Sequence, residues 1–178
     1  PRDYIWQYLA LVLVVIYLIQ FSIIHSSTNE NRKSYSQIAL LFSVLSTVVL
    51  LITYYTQISV VPVSLLNNET QGIALLTQYN PHGLFIALEE LGYILMIISF
   101  VALVPIFQGR GKLVGSIRTI YIVASAIVLI ALIILSIQYG IDRKDRFEVI
   151  IISVSWLVLI INSILIGKLF KSHLRKKA

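Results

Sequence analysis

Two adjacent acids, Glu89 and Glu90, stand in a stretch that is otherwise uncharged from Thr70 to Gly109. Paired carboxylates in an apolar setting suit general acid and base chemistry. If a helix opens at Pro81, the two acids lie roughly 12–14 Å along its axis at about 1.5 Å per residue. An ionised carboxylate in hydrocarbon is costly, so such a group faces the bundle interior, finds a cationic or hydrogen-bonding partner, or retains a proton. Two plainer readings compete. Leu91–Phe107 is long enough to span by itself, and in that register both acids sit solvated at headgroup level. Buried glutamates can also serve only to bridge helices. Neighbouring residues differ by about 100° around a helix, so at most one of the two points squarely at a shared interior site. Glu89 shares a face with Tyr93, and Glu90 with His82.

Other polar residues gather at the same end of the expected topology. Tyr54, Tyr55 and Gln57 close the second span, His82 opens the third, Gln138 and Tyr139 end the fourth, and Arg143 and Arg146 follow. Acid, imidazole, phenol and guanidinium converge only there. The candidate catalytic residues are therefore Glu89, Glu90 and His82, with Tyr54, Tyr55, Tyr93, Gln138, Tyr139, Arg143 and Arg146 as candidate ligand-binding residues. Arg146 or Arg143 is the natural cation for Glu89 or Glu90. Aromatic belts explain the tyrosines equally well, and a lone interfacial histidine is explained by solvation. His25 and His173 fall at the opposite end, and no two histidines occupy facing positions as bis-histidine haem requires. No metal or cofactor is expected.

Trp156 and Asn162 fall in the middle of the fifth span, where Asn162 suits an interhelical hydrogen bond. Ser163 and Gly167 form a small-xxx-small pair, a common helix contact. Asn68-Glu69-Thr70 matches a glycosylation acceptor. Phosphate-binding loops, nucleophile elbows and zinc-protease signatures are absent from the sequence.

The elements that must position these groups follow from composition. Of 178 residues, 58% are apolar, 12% are charged and none is cysteine, while mean hydropathy is +0.89. An ordinary soluble domain carries about 25% charged residues, so the chain cannot cover a soluble globule of its size. Disulfides, thiol catalysis and cysteine-ligated metals are excluded with the cysteines. A hydrocarbon core takes about 20 helical residues to cross, and the uncharged runs resolve into an all-α integral membrane bundle of five transmembrane helices.

The spans are expected at about 4–25, 35–57, 81–107, 113–139 and 146–170, in one domain with an outer loop at 58–80 containing a short interfacial helix. Ser34 with Gln37, and Asp145 with Glu148, read as capping boxes. Asn80-Pro81 reads as an N-cap followed by proline at the first helical position. Thr53–Gln57 followed by Pro62 reads as an exit from the bilayer, and Gly140 as a helix stop. The chain starts at Pro1, which points to a native stretch before it. A cleaved signal peptide is not expected, because a basic loop follows Tyr4–Ile24 instead of a small-residue cleavage site.

Five spans sort ten of the fourteen Lys and Arg residues, among them Arg32, Lys33, Arg110, Lys112, Arg118 and the C-terminal tail, to one side. Arg2, Arg143, Lys144 and Arg146 fall on the other. The positive-inside rule then puts the C-terminus in the cytoplasm and the N-terminus outside. The net charge of +6 reflects membrane anchoring, not nucleic-acid binding.

The segment Gln78–Tyr93, with Tyr139-Gly140-Ile141-Asp142 and Arg146-Phe147-Glu148, resembles small multi-spanning prokaryotic membrane proteins with no assigned activity. The resemblance covers about residues 55–168 and implies a prokaryotic plasma membrane. In residue types and span count the chain is also similar to the emopamil-binding sterol isomerases, whose intramembrane acids protonate and deprotonate a sterol; no local motif matches, so no residue roles follow. Three functions are expected in turn. The first is an outer-leaflet polar pocket around the third helix that binds a membrane lipid, a lipid-like ligand or a partner helix. The second is an enzyme acting on a lipid or isoprenoid through Glu89 or Glu90. The third is an oligomeric proton- or ion-coupled carrier, with a homo-oligomer or partner membrane subunit completing the path.

Overall fold

The computed structural model describes residues 4–109, 111–140 and 142–175, with the side chains of residues 173–175 excepted. Arg2, Arg110, Ile141, Lys176 and Lys177, and the side chains of His173 and Arg175, lie outside the described residues. The elements are α1 (Ile5–Ser26), α2 (Lys33–Ser59), α3 (Val61–Leu66), α4 (Ile73–Leu76), α5 (Leu84–Leu103), α6 (Lys112–Tyr139) and α7 (Arg146–Arg175). No strand is present among the described residues. Five helices, α1, α2, α5, α6 and α7, are long and apolar enough to cross a membrane. Each satisfies its own backbone, as a hydrocarbon environment demands.

The radial distribution of side chains is that of a membrane-embedded bundle. On α2 the buried face is small and polar, with Ser36, Ala39, Ser43, Ser46 and Thr47, while Leu41, Val48 and Ile52 are exposed. Leu9, Val12 and Ile16 on α1, and Ile130, Ile133 and Ile137 on α6, likewise face outward. In water this arrangement would forfeit the hydrophobic driving force; in lipid it frees the interior for close packing.

α5 is the hub. It packs along α2 over the longest interface and also against α6 and α7, while α1 leans on α2 and α6 pairs with α7. The α2–α5 approach depends on Gly92. A Cβ there would lie 2.5 Å from Leu50 Cδ2, and the Ser46 hydroxyl donates to the Gly92 carbonyl at 2.8 Å. This close contact brings the C-terminal turns of α2 against the N-terminal turns of α5.

Several helix boundaries differ from the sequence expectation. α2 begins at Lys33 without a side-chain cap, fed by a 3-10 turn at Glu30–Arg32. Ser34 is therefore not its cap, and it is Ser36 whose hydroxyl bonds locally, to Lys33 O at 2.8 Å. Pro62 does not end the helical path, because α3 follows α2 directly and carries proline in its first turn, where no N–H is needed.

α5 starts at Leu84, not Pro81. Asn80 Oδ1 accepts the His82 N–H at 3.0 Å, and its amide donates to Ala74 O at 2.7 Å. The side chain thus closes a turn and ties it to α4 instead of capping a helix, the usual competition for asparagine. α5 also stops at Leu103, short of Phe107, since Pro105 has no N–H with which to continue the helical ladder. Gly140 ends α6 with φ 61° and ψ −128°, a backbone open to glycine.

Candidate functional site

The polar groups meet where the start of α1, the last turns of α2, and the first turns of α5 and α7 converge. Glu89 is 1% exposed, so its carboxyl lies in the bundle interior and is not solvated. Tyr54 donates its hydroxyl proton to Glu89 Oε1 at 2.5 Å, and the Tyr54 and Tyr93 hydroxyls lie 3.0 Å apart. Trp156 Nε1 donates to the Tyr93 hydroxyl at 2.6 Å. A phenol has one proton to give. With the Tyr54 proton committed to Glu89, Tyr93 must donate to Tyr54, so the chain runs Trp156 to Tyr93 to Tyr54 to Glu89. Every donor in it points toward the carboxyl group.

A second acid completes the cluster. Glu148, 6% exposed, is buried beside Glu89, and both line the same cleft. Two neighbouring carboxyl groups can share a hydrogen bond when one of them carries a proton. The Glu148 carboxyl, expected to cap the helix with Asp145, is buried in the bundle. At the helix start the Asp145 carbonyl accepts Val149 N–H at 3.0 Å.

Glu90, one step around α5, serves a different purpose. Arg143 Nη2 lies 3.3 Å from Glu90 Oε2, with side-chain exposures of 27% and 14%. The guanidinium also donates to Ser136 Oγ at 3.0 Å and lies 5.6 Å over the Phe147 ring. Arg143 thus ties α5 to α6 and α7. Arg146 does not reach either acid; it donates to Arg143 O and stacks 4.4 Å over Tyr139.

The remaining candidates stand apart. His82 is 60% exposed, 3.6 Å from Asp142, and lies outside α5, so it shares no helix face with Glu90. Tyr55 is 63% exposed in an outer apolar groove with Leu11, Val12 and Leu51. Gln138 is exposed. The tertiary structure thus brings Tyr54, Tyr93 and Glu89 together, pairs Glu90 with Arg143, and leaves His82, Tyr55, Gln138, Tyr139 and Arg146 outside the cluster.

The cluster opens on a cleft of about 570 Å³ lined by Trp6 of α1, Gln78 and Tyr79 of the connecting segment, Phe85, Ile86 and Glu89 of α5, and Glu148, Val149, Ile152 and Ser153 of α7, with Asp145 beside them. Trp6 meets Tyr54 edge-on at 5.6 Å. A glutamine clamp holds the connecting segment over the site. Gln57 donates to Leu76 O and accepts from Gln78 N–H at 3.1 Å, and Gln7 Nε2 donates to Gln78 Oε1 at 2.7 Å. Val149 and Ser153 are exposed along the α7 rim, so the cleft reaches the apolar outer surface.

Glu148, Trp156, Trp6, Gln7 and Gln78 were not among the residues expected to form a site. A usable signal was present. Glu148, Ser155 and Asn162 recur every seven residues on α7 and are all buried. Ser36, Ser43 and Gln57 share the same seven-residue register on α2. In a membrane helix such a stripe marks the inward face. Asn162 lies beside the Tyr121 hydroxyl of α6, and Ser163 Oγ lies 3.2 Å from Gln20 Oε1 of α1. No family model, curated protein or solved structure matches this chain.

Proposed function

We propose that this chain is a multi-pass membrane protein that binds a lipid-like amphiphile in the cleft between α1, α5 and α7, with the polar head at the Glu89–Glu148 pair. One observation carries the reading: an acidic cluster inside the bundle, with Glu89 hydrogen-bonded to Tyr54, opens on a cleft where its polar groups meet the apolar side chains of Trp6, Phe85, Ile86, Val149 and Ile152. The cluster presents carboxyl oxygens to the cleft, and no Lys or Arg lines it. A head that donates hydrogen bonds, an alcohol or an amine, complements it.

Both tryptophans of the chain belong to this site, so intrinsic fluorescence reports on it directly. Titration of the reconstituted protein with a brominated long-chain alcohol or amine is expected to quench them saturably. Glu148→Gln, which keeps the shape and alters the head-binding acid, is expected to weaken that binding about tenfold, the scale of one charge-assisted hydrogen bond. Linear quenching, identical in both proteins, would show that no site exists.

A second reading rests on the same carboxyl pair. Two adjacent buried carboxyl groups suit an acid/base enzyme on a lipid or isoprenoid, one as acid and one as base, with Glu89 and Glu148 as the pair, since Glu90 is engaged by Arg143. Incorporation of solvent deuterium into a lipid by wild type, abolished in Glu148→Gln, distinguishes catalysis from binding alone.

The Glu89 end faces outward, and the opposite end faces the cytoplasm of a prokaryotic plasma membrane. The 58–83 segment has no Lys or Arg, whereas Arg32, Lys33, Lys112, Arg118, Lys168 and Lys171 gather at the other end, as the positive-inside rule requires. The chain lacks cysteine, so Asn67→Cys and Lys112→Cys each give a single label site. In intact cells an impermeant maleimide is expected to modify the first and spare the second; the reverse pattern would invert the topology.

A further inference from the structure

At the end of the bundle opposite Glu89, a second cavity of about 580 Å³ lies between the α1–α2 turn, the α5–α6 turn and the last turns of α7. Its polar rim contains Arg32, and its wall is built by Ile24, Phe107, Val114, Ile166 and Phe170. Arg32 spans the gap between two turns. Its Nη1 donates to Ile106 O at 3.0 Å and to Gln108 O at 3.3 Å, and its Nη2 reaches Gln108 Oε1 at 3.4 Å. These are neutral acceptors. A guanidinium has five N–H donors, so Nε and one Nη2 hydrogen are left over, and among the described residues no carboxylate lies within 4.0 Å of it.

A partly buried guanidinium without a counter-charge, at the mouth of a pocket with apolar walls, is complementary to an anion that carries a hydrocarbon chain. We infer that this cavity is a binding site for one anionic phospholipid, its phosphate on Arg32 and one acyl chain along Phe107, Val114 and Ile166. The bilayer supplies that ligand at high local concentration, and basic pockets between transmembrane helices take lipid head groups of this class. The inference is independent of what the Glu89 cleft binds and of which side faces the cytoplasm.

Native mass spectrometry of the full chain, exposed to equal amounts of phosphatidylglycerol and phosphatidylcholine, tests it. Wild type is expected to retain a single phosphatidylglycerol with about tenfold preference, the scale of a charge-assisted hydrogen bond. Arg32→Gln is expected to erase the preference. Because Arg32 also holds backbone carbonyls, Val114→Trp provides a second variant that fills the acyl pocket and keeps the charge; it is expected to lower retention of the lipid by a similar factor. No preference in wild type, or retention of the lipid unchanged in folded Val114→Trp, would overturn the site. Full displacement of the lipid by inorganic phosphate would also overturn it, showing a bare anion site in place of a lipid pocket.

Discussion

Glu89→Ala is expected to destabilise the chain by about 3–5 kcal/mol, measured by equilibrium unfolding in mixed detergent micelles, whereas Glu89→Gln is expected to lose about 1 kcal/mol. The asymmetry follows from what each change leaves behind. Alanine removes the acceptor of the buried Tyr54 hydroxyl, strands the Glu148 carboxyl and opens a void where the side chain stood. Glutamine keeps a carbonyl oxygen for Tyr54 and offers an amide donor to Glu148. Individual interhelical hydrogen bonds in membranes average only about 0.6 kcal/mol. The large term therefore comes from unpaired buried polar groups and the cavity, not from the lost bonds themselves. Equal melts for the two variants would show that Glu89 is not held in this network.

Arg143→Ala is expected to lower stability by about 3 kcal/mol, Glu90→Ala by about 2 kcal/mol, and the double variant by less than their sum, with a coupling of about 1–2 kcal/mol. The pair is only partly screened from solvent, at 27% and 14% exposure, which places it between surface ion pairs and fully buried ones. Arg143 has the larger effect because its loss also frees Ser136 and uncovers Phe147. The corresponding cycle on Arg146 and Glu89 is expected to be additive, since Arg146 interacts with Arg143 O and Tyr139 instead. Coupling in the second cycle and its absence in the first would reverse the pairing.

The five spans were legible because hydrocarbon imposes a length and a composition that any helix crossing it must obey, and α1, α6 and α7 begin within a residue or so of where charge and turn residues put them. Boundaries that depended on a single polar side chain were less legible. Asn80 had a competing turn to close, and Pro105 stopped α5 early. Glu148 was obscured by an ordinary pattern: an acid three residues after an aspartate looks like a cap wherever it occurs, and only its seven-residue register with Ser155 and Asn162 marks it as inward-facing.

The composition and the order of residues along the chain determined that this protein lies in a membrane, how many times its helices can cross, and that Glu89 and Glu90 needed an account. They could not determine which acid would be buried, or with what. Those outcomes depend on rotations and close approaches between helices distant in sequence: Gly92 admitting α2 against α5, Tyr54 reaching Glu89 across that contact, and α7 turning Glu148 and Trp156 to the same point. In a bundle whose outer faces are uniformly apolar, hydropathy alone does not define helix rotation. The small and polar residues that set it act only once their partners are in place.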